Sequence, residues 1–137
     1  MLGRRTYRYV TWSMSRLNSR IGRLCEEKAA EKYGFQLGGC QYADGRYKNG
    51  KPVEVKSTMP GEDGRFRIWE LDHHKVAQQQ GYYVFVLYRR AGRGVVPISM
   101  KRKQATTVTK LIPHWNKAGH ELKDGRQYKL PPEEIFG

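Results

Sequence analysis

Apolar positions along this chain recur first at helical spacing and then at strand spacing. Leu17, Ile21, Leu24 with Cys25, and Ala29 fall three and four apart, which puts them on one stripe of a helix. The stripe predicts a helix from about residue 15 to residue 33. Ser13, Ser15 or Asn18 is available as its cap and Gly34 as its stop. The letters GFQLGGCQYADGRY predict extended segments broken by glycines. Asn49-Gly50 predicts a tight hairpin joining a strand that ends near Lys48 to a strand over 52–57. In that strand Val53 and Val55 alternate with Glu54 and Lys56, so the valines face a core and the charged pair shares the other face.

Past a loop at MPGEDG (59–64), RFRIW (65–69) alternates as a strand does. Asp72 reads as the N-cap of a short helix running to Gln80 and closed by Gly81. YYVFVLY (82–88) is almost unbroken apolar sequence, expected of a central strand buried on both faces. RRAGRG is a turn, and VVPISM a strand whose Pro97 predicts an edge position. Residues 101–112 read as a helix and the tail as mostly irregular. YRYVTW, near the start, reads as a short strand in a basic arm. This order predicts an α/β domain with a central mixed β-sheet flanked by helices. It is read as one domain over 1–137, with a basic N-terminal arm at 1–14 and a C-terminal extension at 113–137.

Charge changes the picture from a fold to a partner. The 26 Lys and Arg against 13 Asp and Glu give a formal net charge of +13, which points to a polyanion. Aromatic residues among the cations direct that toward nucleic acid. Arg4, Arg5, Arg8, Arg16 and Arg20, with the cluster Arg89, Arg90, Arg93, Lys101, Arg102 and Lys103, are candidates to grip phosphates. The acids crowd between Glu26 and Asp72, and none occurs from His73 to His120. That crowding suits acids that hold cations inside a protein built to meet phosphate. No apolar run reaches membrane-spanning length. Cys25 and Cys40 lack metal-ligand spacing and read as buried thiols of a cytoplasmic protein. His73 and His74 are adjacent, a poor metal pair, and read as exposed on the first turn of their helix or as a DNA contact. No Ser-His-Asp or Cys-His arrangement and no phosphate-binding glycine loop is visible.

The chemistry concentrates at the hairpin. Pairing through Asn49-Gly50 sets position 44 opposite about 55, so Asp44 and Glu54 could converge at one end of it. Magnesium takes about six oxygens and only one or two protein carboxylates. The Val55 carbonyl, water and a phosphate oxygen would complete the shell. Lys56, on the face of Glu54, would reach the attacking water or the scissile phosphate.

Asp44, then Glu54-Val55-Lys56, resembles the core of the PD-(D/E)xK nuclease superfamily. NSRIGRLCEEKAAEKYGF resembles the opening helix of its archaeal Holliday-junction-resolvase-like branch, with Gly22 followed by Glu26. FRIWELDHHKVAQQQGYYVFVLY resembles the strand, helix and strand that come after. Ala43 stands where the family name has proline. The resemblance implies a restriction-endonuclease-like core with Glu26, Asp44, Glu54 and the Val55 carbonyl as the metal site. It implies Lys56 as the catalytic lysine alongside the acids. Magnesium is the implied ion, with manganese as a substitute. A homodimer acting on branched or duplex DNA is the implied assembly. Helical spacing does not choose between Glu26 and Glu27, and the family spacing favours Glu26.

The alternatives are a basic nucleic-acid-binding module without chemistry, a restriction or nicking enzyme of the same superfamily, and a metal-independent RNA nuclease using His and Tyr. Gln78 and Tyr82 match the Q-x-x-x-Y of another nuclease branch, with Gly81 between them.

Overall fold

The apolar run at 82–88 becomes the spine of the molecule. In the computed structural model, which describes residues 19–117 and 125–137, it forms most of a ten-residue strand. The elements in chain order are α1 (helical through 19–33), β1 (Gln36–Leu37), β2 (Gly45–Arg46), β3 (Pro52–Thr58), β4 (Phe66–Trp69), α2 (Glu70–Gln78), β5 (Tyr82–Ala91), β6 (Gly94–Gln104), α3 (Ala105–Leu111), β7 (Asn116–Lys117), β8 (Arg126–Leu130) and α4 (Glu133–Phe136). A five-stranded mixed sheet runs β1-β2-β3-β5-β6, and a three-stranded sheet runs β4-β8-β7. β3 and β5 are parallel, and the other neighbours are antiparallel. This is a mixed α/β, restriction-endonuclease-like architecture with helices flanking a central sheet.

Alternation along β5 divides the interior in two. Val84 and Val86 pack with Val53 against Ile21, Cys25 and Ala29, the stripe of α1. Tyr83 and Phe85 pack on the other side against Phe66, Ile68, Val76, Val108, Leu130 and Ile135. A strand covered on both faces has no polar side to show water, hence its nearly continuous apolar sequence. Removing a buried ring such as Phe85 would cost about 3–5 kcal/mol.

The helix stops differ in how they use glycine. Gly34 ends α1 in the left-handed region at φ 71, its N–H bonded to the Ala30 carbonyl at 2.8 Å. α2 ends in a Schellman arrangement: Gln80 takes the left-handed position at φ 55 and donates to Ala77 O, and Gly81 donates to Val76 O. Gly81 is required for close approach instead, since a Cβ there would lie 2.6 Å from the Pro52 carbonyl oxygen.

Several expectations are corrected. Residues 101–104 continue β6, held by the ladder that pairs Lys103 with Tyr83 and Lys101 with Phe85, so the helix covers only Ala105–Leu111. The tail is not mostly irregular: β8 pairs antiparallel with β4, and Leu130 and Ile135 enter the core. α2 begins at Glu70 with Trp69 as N-cap, which puts Asp72 within the first turn and not at the cap. There Glu70 and Asp72 suit the positive end of the helix dipole. The hairpin loop is longer than a two-residue turn. Tyr47 N–H bonds Lys51 O, Gly50 N–H bonds Tyr47 O, and Gly50 sits at φ 87. The register becomes Gly45 opposite Val53, one residue from the expected pairing. Pro97 does lie on an edge strand, β6, where the pairing with β5 slips between Leu87 and Tyr88. The N-terminal arm lies outside the described residues. No described helix is long and apolar enough to cross a membrane.

Candidate active site

The site forms where a sheet edge is left open. β2 pairs only with Pro52 and Val53, so from Glu54 onward the outer edge of β3 has no ladder partner among the described residues. The Val55 N–H on that edge is taken by a side chain: Asp44 Oδ2 accepts it at 2.7 Å. In a strand, one residue's N–H and C=O point to the same side. The Val55 carbonyl therefore faces the edge that Asp44 occupies. Asp44 is delivered there because it immediately precedes β2, whose first residue, Gly45, lies so close to β1 that a Cβ would come to 2.4 Å from the Gln36 carbonyl oxygen.

Glu54 and Lys56 share the face of β3 that adjoins Tyr83 and Phe85. Their side chains are mostly covered, 12% and 21% exposed, and Lys56 Nζ lies 3.7 Å from Glu54 Oε2. The pair is thus neither a solvated strand face nor fully buried. Burial holds the Glu54 carboxyl well above the usual carboxylate range, and a hydrogen bond shared with Asp44 and the charges of Asp44 and Asp72 raise it further. Lys56 pulls the other way without prevailing. Burial also raises Glu26, to about 7, and the charge of Asp44 adds to it. Asp44 is therefore the hub: it acts on Glu54 from the next strand and on Glu26 from α1. Glu27 points away, 52% exposed and paired with Arg23 at 3.2 Å. Of the two candidates on α1, Glu26 is the one turned toward Asp44. The small residue Gly22 lies one turn before it, where a Cβ would come to 4.0 Å from Glu26 Oε2.

Among the described residues no group of three or more His, Cys, Asp or Glu side chains is gathered closely enough to hold a metal ion by itself. The donor set nonetheless fits a hard divalent cation of the magnesium type. It offers two carboxylates in mutual contact and an outward carbonyl, and such ions keep several waters and take few protein ligands. The strain between Asp44 and Glu54 is what a cation would relieve. Glu26 stands further out, electrostatically linked to Asp44.

The remaining sequence candidates separate clearly. Arg20, Arg89, Arg90, Arg93, Lys101 and Arg102 are exposed and Lys103 is half-buried. Arg4, Arg5, Arg8 and Arg16 lie outside the described residues. Cys25 is buried and Cys40 only partly so, both as free thiols. Burial raises the Cys25 thiol, and a hydrogen bond from Ser57 lowers it. Ser57 thus faces α1. Gln78, Gln79 and Gln80 are exposed at the end of α2, and the Tyr82 ring packs against Tyr47 and Arg102.

His73 overturns the expectation of an exposed first turn: it is 1% exposed. Its Nδ1 lies 2.8 Å from Tyr83 OH and its Nε2 2.7 Å from Thr109 Oγ1. Thr109 gives its hydroxyl proton to Ala105 O at 3.0 Å, so it must accept from Nε2–H. The Tyr83 hydroxyl then donates to Nδ1, which fixes the neutral Nε2–H tautomer. Burial lowers His73 to about 4, with the neighbouring His74 adding to the shift. Sequence reasoning also passed over Asp72 as a neighbour of Glu54. Its position beside the adjacent histidines gives no pattern signal, since α2 has to be packed on the sheet before Asp72 meets β3.

No curated protein matches the chain at a significant level. The family model described as a PD-(D/E)XK nuclease superfamily domain matches residues 13–137. Nucleases of that superfamily generally use divalent metal ions, in keeping with the donor set at the edge of β3. With nearly the whole sequence matched, and with Asp44, Glu54 and Lys56 brought together on one hairpin, the chain belongs to the PD-(D/E)XK nuclease superfamily.

Proposed function

We propose that the protein is a magnesium-dependent endonuclease that hydrolyses phosphodiester bonds in DNA, selective for branched structures in the manner of a Holliday junction resolvase and working as a homodimer. One observation carries the reading. At the open edge of β3, Asp44 caps the Val55 N–H beside a mostly covered Glu54–Lys56 pair. Asp44, Glu54 and the Val55 carbonyl would hold the metal, manganese serving in place of magnesium, and Glu26 would complete its charge balance. When bound, the ion supplies Lewis-acid activation of water and of the phosphate. Lys56, held by Glu54, places a cation where negative charge develops on the phosphate. Arg20 and the exposed cations of the β5–β6 hairpin would position the backbone without reading sequence. A four-way junction cut on two strands requires two such sites, which a twofold dimer provides. The free thiols support a reducing, cytoplasmic setting.

The test is cleavage of labelled four-way junction, duplex and single-stranded DNA, with magnesium and with chelator. Magnesium-dependent cutting favouring the junction is expected, together with its loss in Asp44→Ala and Glu54→Ala. Equal cutting by those variants would sink the metal site. Binding without cutting by the parent would turn the protein into a non-catalytic binding module.

A further inference from the structure

Four separate segments bring aromatic rings or cations to one place on the α1 side of the sheet. Tyr33 comes from the end of α1, Tyr47 from the β2–β3 hairpin, Tyr82 from the start of β5 and Arg102 from β6. The Arg102 guanidinium carbon lies 4.6 Å from the Tyr82 ring centre, 5.7 Å from that of Tyr47 and 5.8 Å from that of Tyr33. Its Nη1 donates to Tyr47 OH at 2.6 Å. Tyr33 is tied in turn to the Met100 carbonyl at 3.3 Å, and Tyr47 packs edge-on against Tyr82. The cation is therefore held by rings and one hydroxyl. Arg102 forms no salt bridge with a carboxylate among the described residues, and it is exposed.

An exposed guanidinium over a single ring is a common brace, whereas here three rings converge on one cation. This one lies over an aromatic ring, leaves most of its five N–H donors without a partner among the described residues, and forms part of the lining of an open depression of about 450 Å³ with Tyr47, Lys48 and Tyr82. A planar cation layered on tyrosine suits stacking by a nucleobase, and its outward donors suit a phosphate. Lys48 adds a second cation at the rim. A base inside a duplex already has both faces stacked and cannot enter.

We propose that this tyrosine-walled arginine is the seat of an unpaired nucleotide, with the base layered on Arg102 and Tyr82 and the phosphate on Arg102 and Lys48. The seat rests on the nuclease reading and narrows its substrate to DNA carrying a single-stranded tail or a branch. Tyr47 follows Asp44 by three residues on the same hairpin, roughly 10 Å of extended chain. The seat lies on the α1 side of the sheet and Glu54 and Lys56 on the other, so a strand seated here would reach them around the open edge of β3, where Asp44 sits.

The test uses the full chain in chelator with oligonucleotides carrying 2-aminopurine either in a single-stranded tail or inside a blunt duplex. Binding should quench the tail probe and leave the duplex probe unchanged. Arg102→Ala should weaken tail binding about tenfold and abolish the quench. Arg102→Lys, which keeps the charge and loses the plane, should retain salt-dependent binding without the quench. Lys48→Ala, an exposed change that leaves folding untouched, should lower the salt slope by about one. A tail that binds the parent unquenched overturns the seat, as does an Arg102→Lys protein that quenches like the parent. Magnesium-dependent cutting without any quench removes the seat and keeps the nuclease. A quench without cutting of any substrate keeps the seat and removes the nuclease.

Discussion

Two groups of polar side chains lie against the same face of β5, and they are built on opposite principles. Around His73 every polar atom has a partner: Tyr83 donates to Nδ1, Nε2–H donates to Thr109, and Thr109 donates to a helix carbonyl. Around Glu54 the acids face one another, and their single cation does not offset burial and mutual repulsion. The first group is neutral, closed to water and complete. The second is half-open, with its acids crowded around one lysine. A satisfied network holds a fold in register, whereas acids held out of their usual range in an open cleft mark a candidate site. The two are separated by little more than the width of Tyr83, whose backbone is laddered to Glu54 and whose hydroxyl serves His73.

The difference can be broken from either side. The largest effect expected is on cleavage: Glu54→Gln or Lys56→Ala should slow it at least about a hundredfold while leaving the far-ultraviolet circular dichroism unchanged. His73→Ala should do the reverse, costing about 2–4 kcal/mol in urea unfolding, because it opens a cavity and orphans Tyr83 and Thr109. The pH dependence of stability should also divide. The unfolded chain protonates histidine near 6.5, whereas folded His73 resists until about 4. Stability should therefore be lost as pH falls through that window, by about 2–3 kcal/mol in all, and the loss should be absent in His73→Gln. The raised acids work in the opposite sense. Glu26, at about 7 when folded, costs stability above that value and is relieved as pH falls toward 4.5. Burial raises Glu54 in the same sense, so Glu54→Gln should stabilise the protein at pH 8 in chelator. Magnesium should raise the melting temperature of the parent and not of that variant. The smallest effect belongs to a pair in neither group: breaking Arg126–Glu70, 3.5 Å apart with Arg126 62% exposed, should cost under about 0.5 kcal/mol by thermal melting.

How far each part was legible in the sequence follows the range of the forces that fix it. β5, the α1 stripe from Ile21 onward and the Gly34 stop depend on local periodicity and backbone preference, and they stand as read, while Leu17 and the start of the helix lie outside the described residues. Asp44, Glu54 and Lys56 are brought together as the hairpin implied, apart from one residue of register added by Gly50. Lys101 to Gln104 carry no apolar pattern and favour helix locally, yet the ladder with β5 decides their state. RQYKL buries Leu130 fully and Tyr128 partly, and becomes a strand because β4, far upstream, pairs with it. His73 is buried by partners from two other segments that no local window contains. Glu26 over Glu27 required α1 to be set against the sheet, because rotation about a helix axis is fixed by packing.

The short β2 has a consequence for solubility as well as for chemistry. A strand edge without a neighbour invites a strand from another molecule, and unpaired amides are its point of attachment. On β3 the Val55 amide is occupied by Asp44, and Glu54 and Lys56 flank it. Asp44 is thus a stopper on a sticky edge. Removing it should leave a protein that also associates on concentration, through a seam of backbone hydrogen bonds between β3 strands that the carboxylate had kept closed.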